Sequence, residues 1–210
     1  MDPWALAALA GLSAGLVHAL SGPDHVAAVA PLALAERRSR WRTGLLWGIG
    51  HSAGVCLVGL LALLLREVLP LDSLSSWSER LVGAVLIVVG LWGLRRASLA
   101  RLPVPHQHAE EEPGAPRSRQ AALWIGALHG LAGSSHLLGL FPALALPSRA
   151  ASLAYVGGFS VGTVAAMVVF SSTIGLLAAW LTARGQNAYR ALLGTASAAA
   201  IGVGIFWLTL

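Results

Sequence analysis

Apolar residues fill six long blocks of this chain, at about 4–34, 43–65, 79–95, 120–146, 152–182 and 189–209, with short polar stretches between them. A helix needs about 20 mostly apolar residues to cross a bilayer, so each block predicts one crossing. The first, fourth and fifth blocks are longer than a straight crossing requires. In the first and fourth the excess surrounds Ser21-Gly22-Pro23 and Gly133-Ser134-Ser135. Proline removes a backbone donor and clashes with the preceding turn. Glycine weakens a helix by roughly 1 kcal/mol relative to alanine. Helices 1 and 4 are therefore expected to be broken or re-entrant, near 21–24 and 132–135. Irregular backbone at membrane depth survives only where it is packed in protein or lines a wet cavity.

The pattern occurs twice. GLVHALSGPDHVAAVAPLAL at 15–34 matches GALHGLAGSSHLLGLFPALA at 126–145. At an offset of 111, Gly15 falls on Gly126, His18 on His129, Gly22 on Gly133, His25 on His136 and Pro31 on Pro142. Gly50, Ser52 and Gly54 match Gly158, Ser160 and Gly162 at an offset of 108, and Gly83 and Gly93 match Gly194 and Gly204 at 111. Each half holds three spans, and an odd number forces the second half upside down. The expected fold is an all-α integral membrane protein of six transmembrane helices in two inverted three-helix repeats. Residues 1–96 form the first, 97–119 a polar linker and 120–210 the second. Inverted repeats around a midplane site of discontinuous helices are the common build of a secondary transporter.

Composition agrees with a membrane protein: 56% of the 210 residues are hydrophobic and 11% charged, where a soluble domain carries about a quarter charged. The 14 basic residues are all arginines, so the net charge of +5 marks loops, and no nucleic-acid partner is expected. With the first span running inward, the inner loops hold Arg37, Arg38, Arg40, Arg42, Arg95, Arg96, Arg101, Arg117, Arg119, Arg184 and Arg190. The outer loops hold Arg66, Arg80 and Arg149. This positive-inside bias places both termini outside and the linker in the cytoplasm, in a bacterial inner (cell) membrane. The N-terminus lacks a basic flank and a cleavage site, and reads as the start of a span and not as a signal peptide. One cysteine, Cys56, excludes a disulfide framework and a dithiol redox pair.

Few polar side chains interrupt the spans. Asp24 is the one acid inside them, Glu79 standing at the very edge of the third block, and burial at the centre would cost about 2.5–3.5 kcal/mol on insertion scales, which makes Asp24 a functional candidate. Its bland alternative is an N-cap for the half-helix after Pro23. His18 and His25 would stand roughly 10 Å apart along an intact helix, and a break between them can bring them together. The same holds for His129 and His136. Packing histidines are the alternative, less natural for two pairs in register. His51 in WGIGHSAGV, whose repeat partner is Phe159, is a fifth ligand, a gate or a packed residue. Imidazole with carboxylate suits Ni²⁺, Co²⁺, Zn²⁺ or Mn²⁺. His106 and His108 in the linker, beside Glu110, Glu111 and Glu112, are a weak metal tract or a plain solvated loop.

The residues His18, Asp24, His25 and His51 resemble the nickel/cobalt transporter superfamily, whose mark is a histidine, four residues, Asp-His, then a Gly-His stretch in the next span. HALSGPDHVAAVAPLA, GIGHSAG and HGLAGSSHLLGLFPALALPSR are most similar to its urease-accessory-like (UreH-type) six-span branch. Here five residues separate His18 from Asp24, and the second copy carries Ser134-Ser135. The resemblance implies transition-metal transport, with His18, Asp24, His25 and His51 as the motif positions.

The leading expectation is thus a permease, not an enzyme, for a divalent transition-metal cation, nickel or cobalt foremost. The ion is its substrate, with no permanently bound cofactor, and lipid is its surroundings. A homo-oligomer is left open. Imidazoles titrating near about 6.5 would allow coupling to protons. The alternatives are transport of another small solute or anion, with Ser134, Ser135 and half-helix N-termini as the site, and a membrane haem protein with histidine axial ligands. An intramembrane metallohydrolase lacks its HExxH helix.

Overall fold

The structure is a computed structural model that describes residues 2–36, 39–65, 71–99, 115–132 and 134–209. Within these, residues 61–65, 71–76, 78, 115–119 and 134–138 are described by backbone alone. Among the described residues every regular element is helical: α1 (Pro3–Ser21), α2 (Pro23–Ala35), α3 (Arg40–Leu65), α4 (Leu71–Leu99), α5 (Ala115–Leu131), α6 (Ser134–Leu144), α7 (Arg149–Arg184) and α8 (Gln186–Thr209). Among the described residues five stretches are long and apolar enough to cross a membrane: Pro3–Ser21, Arg40–Leu60, Glu79–Leu99, Arg149–Arg184 and Gln186–Thr209. Their outward side chains are large and apolar, including Leu9, Val17, Val88, Leu153, Val161 and Leu176, all more than half exposed. Water does not tolerate so large an apolar surface on a monomer. The protein is an integral membrane helical protein.

The break after α1 follows from one dipeptide. A residue before proline is driven out of the helical region, and Gly22 takes φ −75°, ψ 107° ahead of Pro23. Pro23 then starts α2, where its missing N–H costs nothing. α2 runs only 13 residues, yet Ala27 to Ala35 are all buried. Such a helix, apolar on every side, belongs in a core, and α3, α4, α7 and α8 surround it. A second interruption separates α5 from α6. Pro31 and Pro142 lie inside α2 and α6.

Glycines set the long contacts. A Cβ on Gly11 or Gly15 would strike the carbonyl of Tyr155 or Phe159, and one on Gly158 or Gly162 that of Ala8 or Leu12. The numbers rise together, so α1 and α7 run parallel with touching backbones, as small residues allow. Gly126 and Gly130 press likewise on the carbonyls of Trp47 and His51, and Gly50 and Gly54 on those of Leu123 and Ala127, so α5 parallels α3. Gly83 and Gly204 meet each other's carbonyls while Gly90 meets that of Ser197, which makes α4 and α8 antiparallel. Gly44 on Met167 and Gly48 on Val164 make α3 and α7 antiparallel. Adjacent residues should therefore respond in opposite ways. Gly158→Leu is expected to cost about 1–3 kcal/mol or more by overpacking. Gly157→Leu, at a site with nothing within 4 Å, should leave the melting temperature of the detergent-solubilised protein nearly unchanged.

Polar anchors gather at one end of the bundle. Arg96 donates to the Ala35 carbonyl at 3.3 Å, Tyr189 to that of Leu34 at 3.1 Å and Arg40 to that of Glu36 at 2.9 Å. Arg42, Arg96 and Arg184 lie over the rings of Trp41, Trp92 and Trp180. Such arginine–tryptophan pairs suit the headgroup level. α7, at 36 residues, is about 54 Å long and exceeds the hydrocarbon core of about 30 Å.

Candidate metal centre

Three imidazoles meet where the first helix breaks. His18 lies in the last turn of α1, His25 in the first turn of α2, and His51 faces them from α3. Their ring centroids are 4.8 Å apart for His18 and His25, 4.8 Å for His25 and His51, and 5.6 Å for His18 and His51. One nitrogen from each lies within 4.8 Å of the others. Ligands on a tetrahedral ion with bonds of about 2.0–2.1 Å stand roughly 3.3 Å apart, so each ring needs to close in by on the order of 1 Å. His25 and His51 are buried and His18 is half-buried.

Asp24 supplies the anion. It is 4% exposed, and its Oδ1 lies 3.4 Å from His25 Nδ1. Its expected alternative role as an N-cap is corrected here. Pro23 fills the first helical position, so Gly22 is the N-cap and no side chain caps α2. Asp24 stands inside the first turn, where the helix dipole favours a negative charge. The backbone makes room for the ligand: a Cβ on Gly22 would collide with His25 Nδ1 and come within 3.0 Å of Asp24 Oδ1. A cavity of about 270 Å³ opens along the break from Ser21 to His25, closed on one side by Trp207 of α8.

His129 lies at the edge of this cluster. Its ring is 6.2 Å from His25 and 5.6 Å from Trp47. It is fully buried, and its Nδ1 is 3.0 Å from the Ile125 carbonyl. A carbonyl only accepts, so Nδ1 carries the proton and Nε2 keeps a lone pair. That Nε2 has no hydrogen-bond partner among the described residues. The side chains of Ser134, Ser135 and His136, and all of Gly133, His106 and His108, lie outside the described residues.

Trp47 is the member that sequence reading missed. It is fully buried, stacks on His51 at 4.9 Å and 7°, and meets His25 edge-on at 5.3 Å. The signal was available: Trp47 precedes His51 by four residues, which puts both on one helix face. Phe159, the repeat partner of His51, packs on His18 at 5.3 Å.

Residues 6–203 match the family described as the cytochrome C biogenesis protein transmembrane region. The chain belongs to this family. It is 36% identical over 216 residues to the chloroplast protein FOR GROWTH AND FERTILITY 1 of Arabidopsis thaliana, covering 96% of this chain and 58% of that one. FOR GROWTH AND FERTILITY 2 of the same plant is 37% identical, covering 93% of this chain and 54% of the relative. The chain thus spans a little over half the length of these two relatives. The urease accessory protein UreH of Bacillus sp. (strain TB-90) is 29% identical over 79% of this chain and 75% of its own. No solved structure matches. The family is that of a membrane region, as the apolar spans require, and the UreH similarity agrees with the resemblance read from the histidine motif. Thiol exchange between two cysteines of this chain is excluded, because Cys56 is its one cysteine.

Proposed function

We propose that the protein is a permease for a divalent transition-metal cation, nickel or cobalt foremost, bound by His18, His25, His51 and Asp24 between two inverted three-helix repeats. The observation that carries this reading is the convergence of three imidazole nitrogens within 4.8 Å of one another beside the buried Asp24, inside a membrane protein. A buried carboxylate within a span is costly, and a divalent cation repays that cost. Borderline-soft nitrogen ligands with one hard oxygen favour Ni²⁺, Co²⁺ or Zn²⁺ over Mg²⁺ or Ca²⁺.

Six crossings follow if α5 and α6 together make the fourth, as α1 and α2 make the first. The helix directions support the inverted repeat over 1–96 and 120–210. α1 parallels α7, α5 parallels α3, and α4 opposes α8, which is the pattern of two three-helix units turned upside down. Arg40, Arg42, Arg96 and Arg184, gathered at one end, support the positive-inside orientation with the 97–119 linker cytoplasmic. Nothing in the ring geometry favours the haem alternative, since a macrocycle would have to pass between imidazoles already packed at 4.8 Å.

Calorimetric titration of the detergent-solubilised protein with Ni²⁺, Co²⁺, Zn²⁺ and Mg²⁺ tests the reading. The expected result is tight binding of the first three and none of the last. His18→Ala and His25→Ala should each weaken binding at least about tenfold, or about 1.4 kcal/mol. Equal affinity in wild type and both variants would contradict it.

A further inference from the structure

Beside the three imidazoles lie two buried polar atoms with no hydrogen-bond partner among the described residues, Trp47 Nε1 on α3 and His129 Nε2 on α5. Both residues are fully buried. A buried polar group left in this way costs about 1–3 kcal/mol, so two of them side by side call for a ligand. They are opposite in kind. An indole N–H only donates. His129 Nε2 only accepts, because Nδ1 carries the proton toward the Ile125 carbonyl at 3.0 Å. The two rings are 5.6 Å apart, yet the two atoms do not bond each other. The helices that carry them already touch: a Cβ on Gly126 would strike the Trp47 carbonyl, and one on Gly130 that of His51. The backbones therefore cannot close to bring the indole directly onto the imidazole.

We propose that a water molecule bridges Trp47 and His129 and is itself a ligand of the metal ion, so that the protein holds the cation with one water still bound. This rests on the metal reading above. Water fits because it both accepts and donates. An anion would set a second acceptor against Nε2, and a metal ion placed directly on Nε2 would leave the indole N–H unsatisfied. A water accepts from the indole, donates to the imidazole and keeps a lone pair. Buried waters make about three bonds, and the third partner is close at hand. Trp47 stacks on His51 at 4.9 Å and meets His25 edge-on at 5.3 Å, two of the three rings that would hold the ion. His129 is set back by a suitable amount. Its ring is 6.2 Å from His25, while those of His18 and His51 are each 4.8 Å from it. A nitrogen reached through a bound water stands about 4 Å from the ion, against about 2 Å for a direct ligand. Three imidazoles, Asp24 and the water then make five ligands, and Trp47 and His129 are positioning residues. The water is a hard oxygen ligand, which suits Co²⁺ or Ni²⁺ and disfavours the soft Cu⁺ ion.

The test loads the detergent-solubilised protein with Co²⁺ and reads its electron paramagnetic resonance in ordinary and in ¹⁷O-enriched water. The wild type should show line broadening by ¹⁷O, the mark of water bound to the ion. Trp47→Phe keeps an aromatic ring against His51 but removes the donor, and His129→Phe removes the acceptor. Each should lose the broadening and bind Co²⁺ about tenfold or more weakly. His129→Gln, whose side-chain oxygen accepts in place of Nε2, should keep the broadening, with affinity within about threefold of wild type. A loosened core would not separate Gln from Phe at the same position. Co²⁺ bound without broadening in the wild type would overturn the proposal, and this result needs no variant. Broadening that survives in both Trp47→Phe and His129→Phe would overturn it as well, because that water would come from the cavity along Ser21 to His25. Failure of the wild type to bind Co²⁺ at all would overturn the metal reading, and this proposal with it.

Discussion

Asp24→Asn is expected to lower divalent-metal affinity by at least about tenfold, or about 1.4 kcal/mol, while the unfolding temperature stays within a few degrees of wild type. The argument is that the amide keeps the shape and one acceptor oxygen but removes the anion. Asp24 is 4% exposed, so bulk water does not screen its charge. A divalent cation there loses its only close carboxylate among the described residues. The fold does not depend on that charge for capping, because Gly22 occupies the N-cap of α2 and makes no side-chain cap bond. The amide also avoids the cost of holding a charge inside an apolar span. Calorimetric affinity and thermal unfolding measured on one detergent-solubilised sample check both halves. Unchanged affinity would remove Asp24 from the site.

Gly22→Ala is expected to act almost as strongly, through geometry alone. The backbone at Gly22, φ −75° and ψ 107°, is open to any residue before proline, so the helix break should persist. The added methyl, however, would occupy the space of His25 Nδ1. His25 has little freedom to retreat, being 2% exposed and packed by Trp47 and His51 at 5.3 and 4.8 Å. The imidazole must rotate away from His18, and affinity for Zn²⁺ should fall about tenfold or more with helical content by circular dichroism unchanged. Wild-type affinity in Gly22→Ala would show that His25 does not bind in the orientation described.

These two residues were legible in the sequence for different reasons. Asp24 stood out because a carboxylate is expensive in an apolar span. The break at Gly22-Pro23 stood out because proline constrains the residue before it. Hydropathy placed the span cores well but missed helix ends that leave the apolar region. The span starts at Glu79, where hydropathy sets it, but the helix that carries it, α4, begins earlier, at Leu71, since Asp72, Ser73, Ser75, Ser76 and Ser78 lower its hydropathy without breaking the helix. α5 begins at Ala115, not 120, for the same reason at Arg117, Arg119 and Gln120.

The partner of each histidine was not legible. Sequence matching sets His129 in register with His18, yet their neighbours differ by one turn of helix. Register between touching helices depends on which carbonyl each glycine meets, and several spacings satisfy the same small-residue pattern. Trp47, one of eight tryptophans, carries no mark of its own in the sequence, because most tryptophans of membrane proteins sit at the interfaces. Only packing shows that this one is fully buried against His51.

The measurement closest to the central claim is X-ray absorption at the zinc edge of Zn²⁺-loaded protein, in wild type and His51→Ala. The account predicts imidazole nitrogen scattering with bonds of about 2.0–2.1 Å, together with an oxygen ligand, and one imidazole fewer in His51→Ala. A spectrum dominated by water oxygen, or an imidazole count unaltered by removing His51, would contradict a metal centre at the break between α1 and α2.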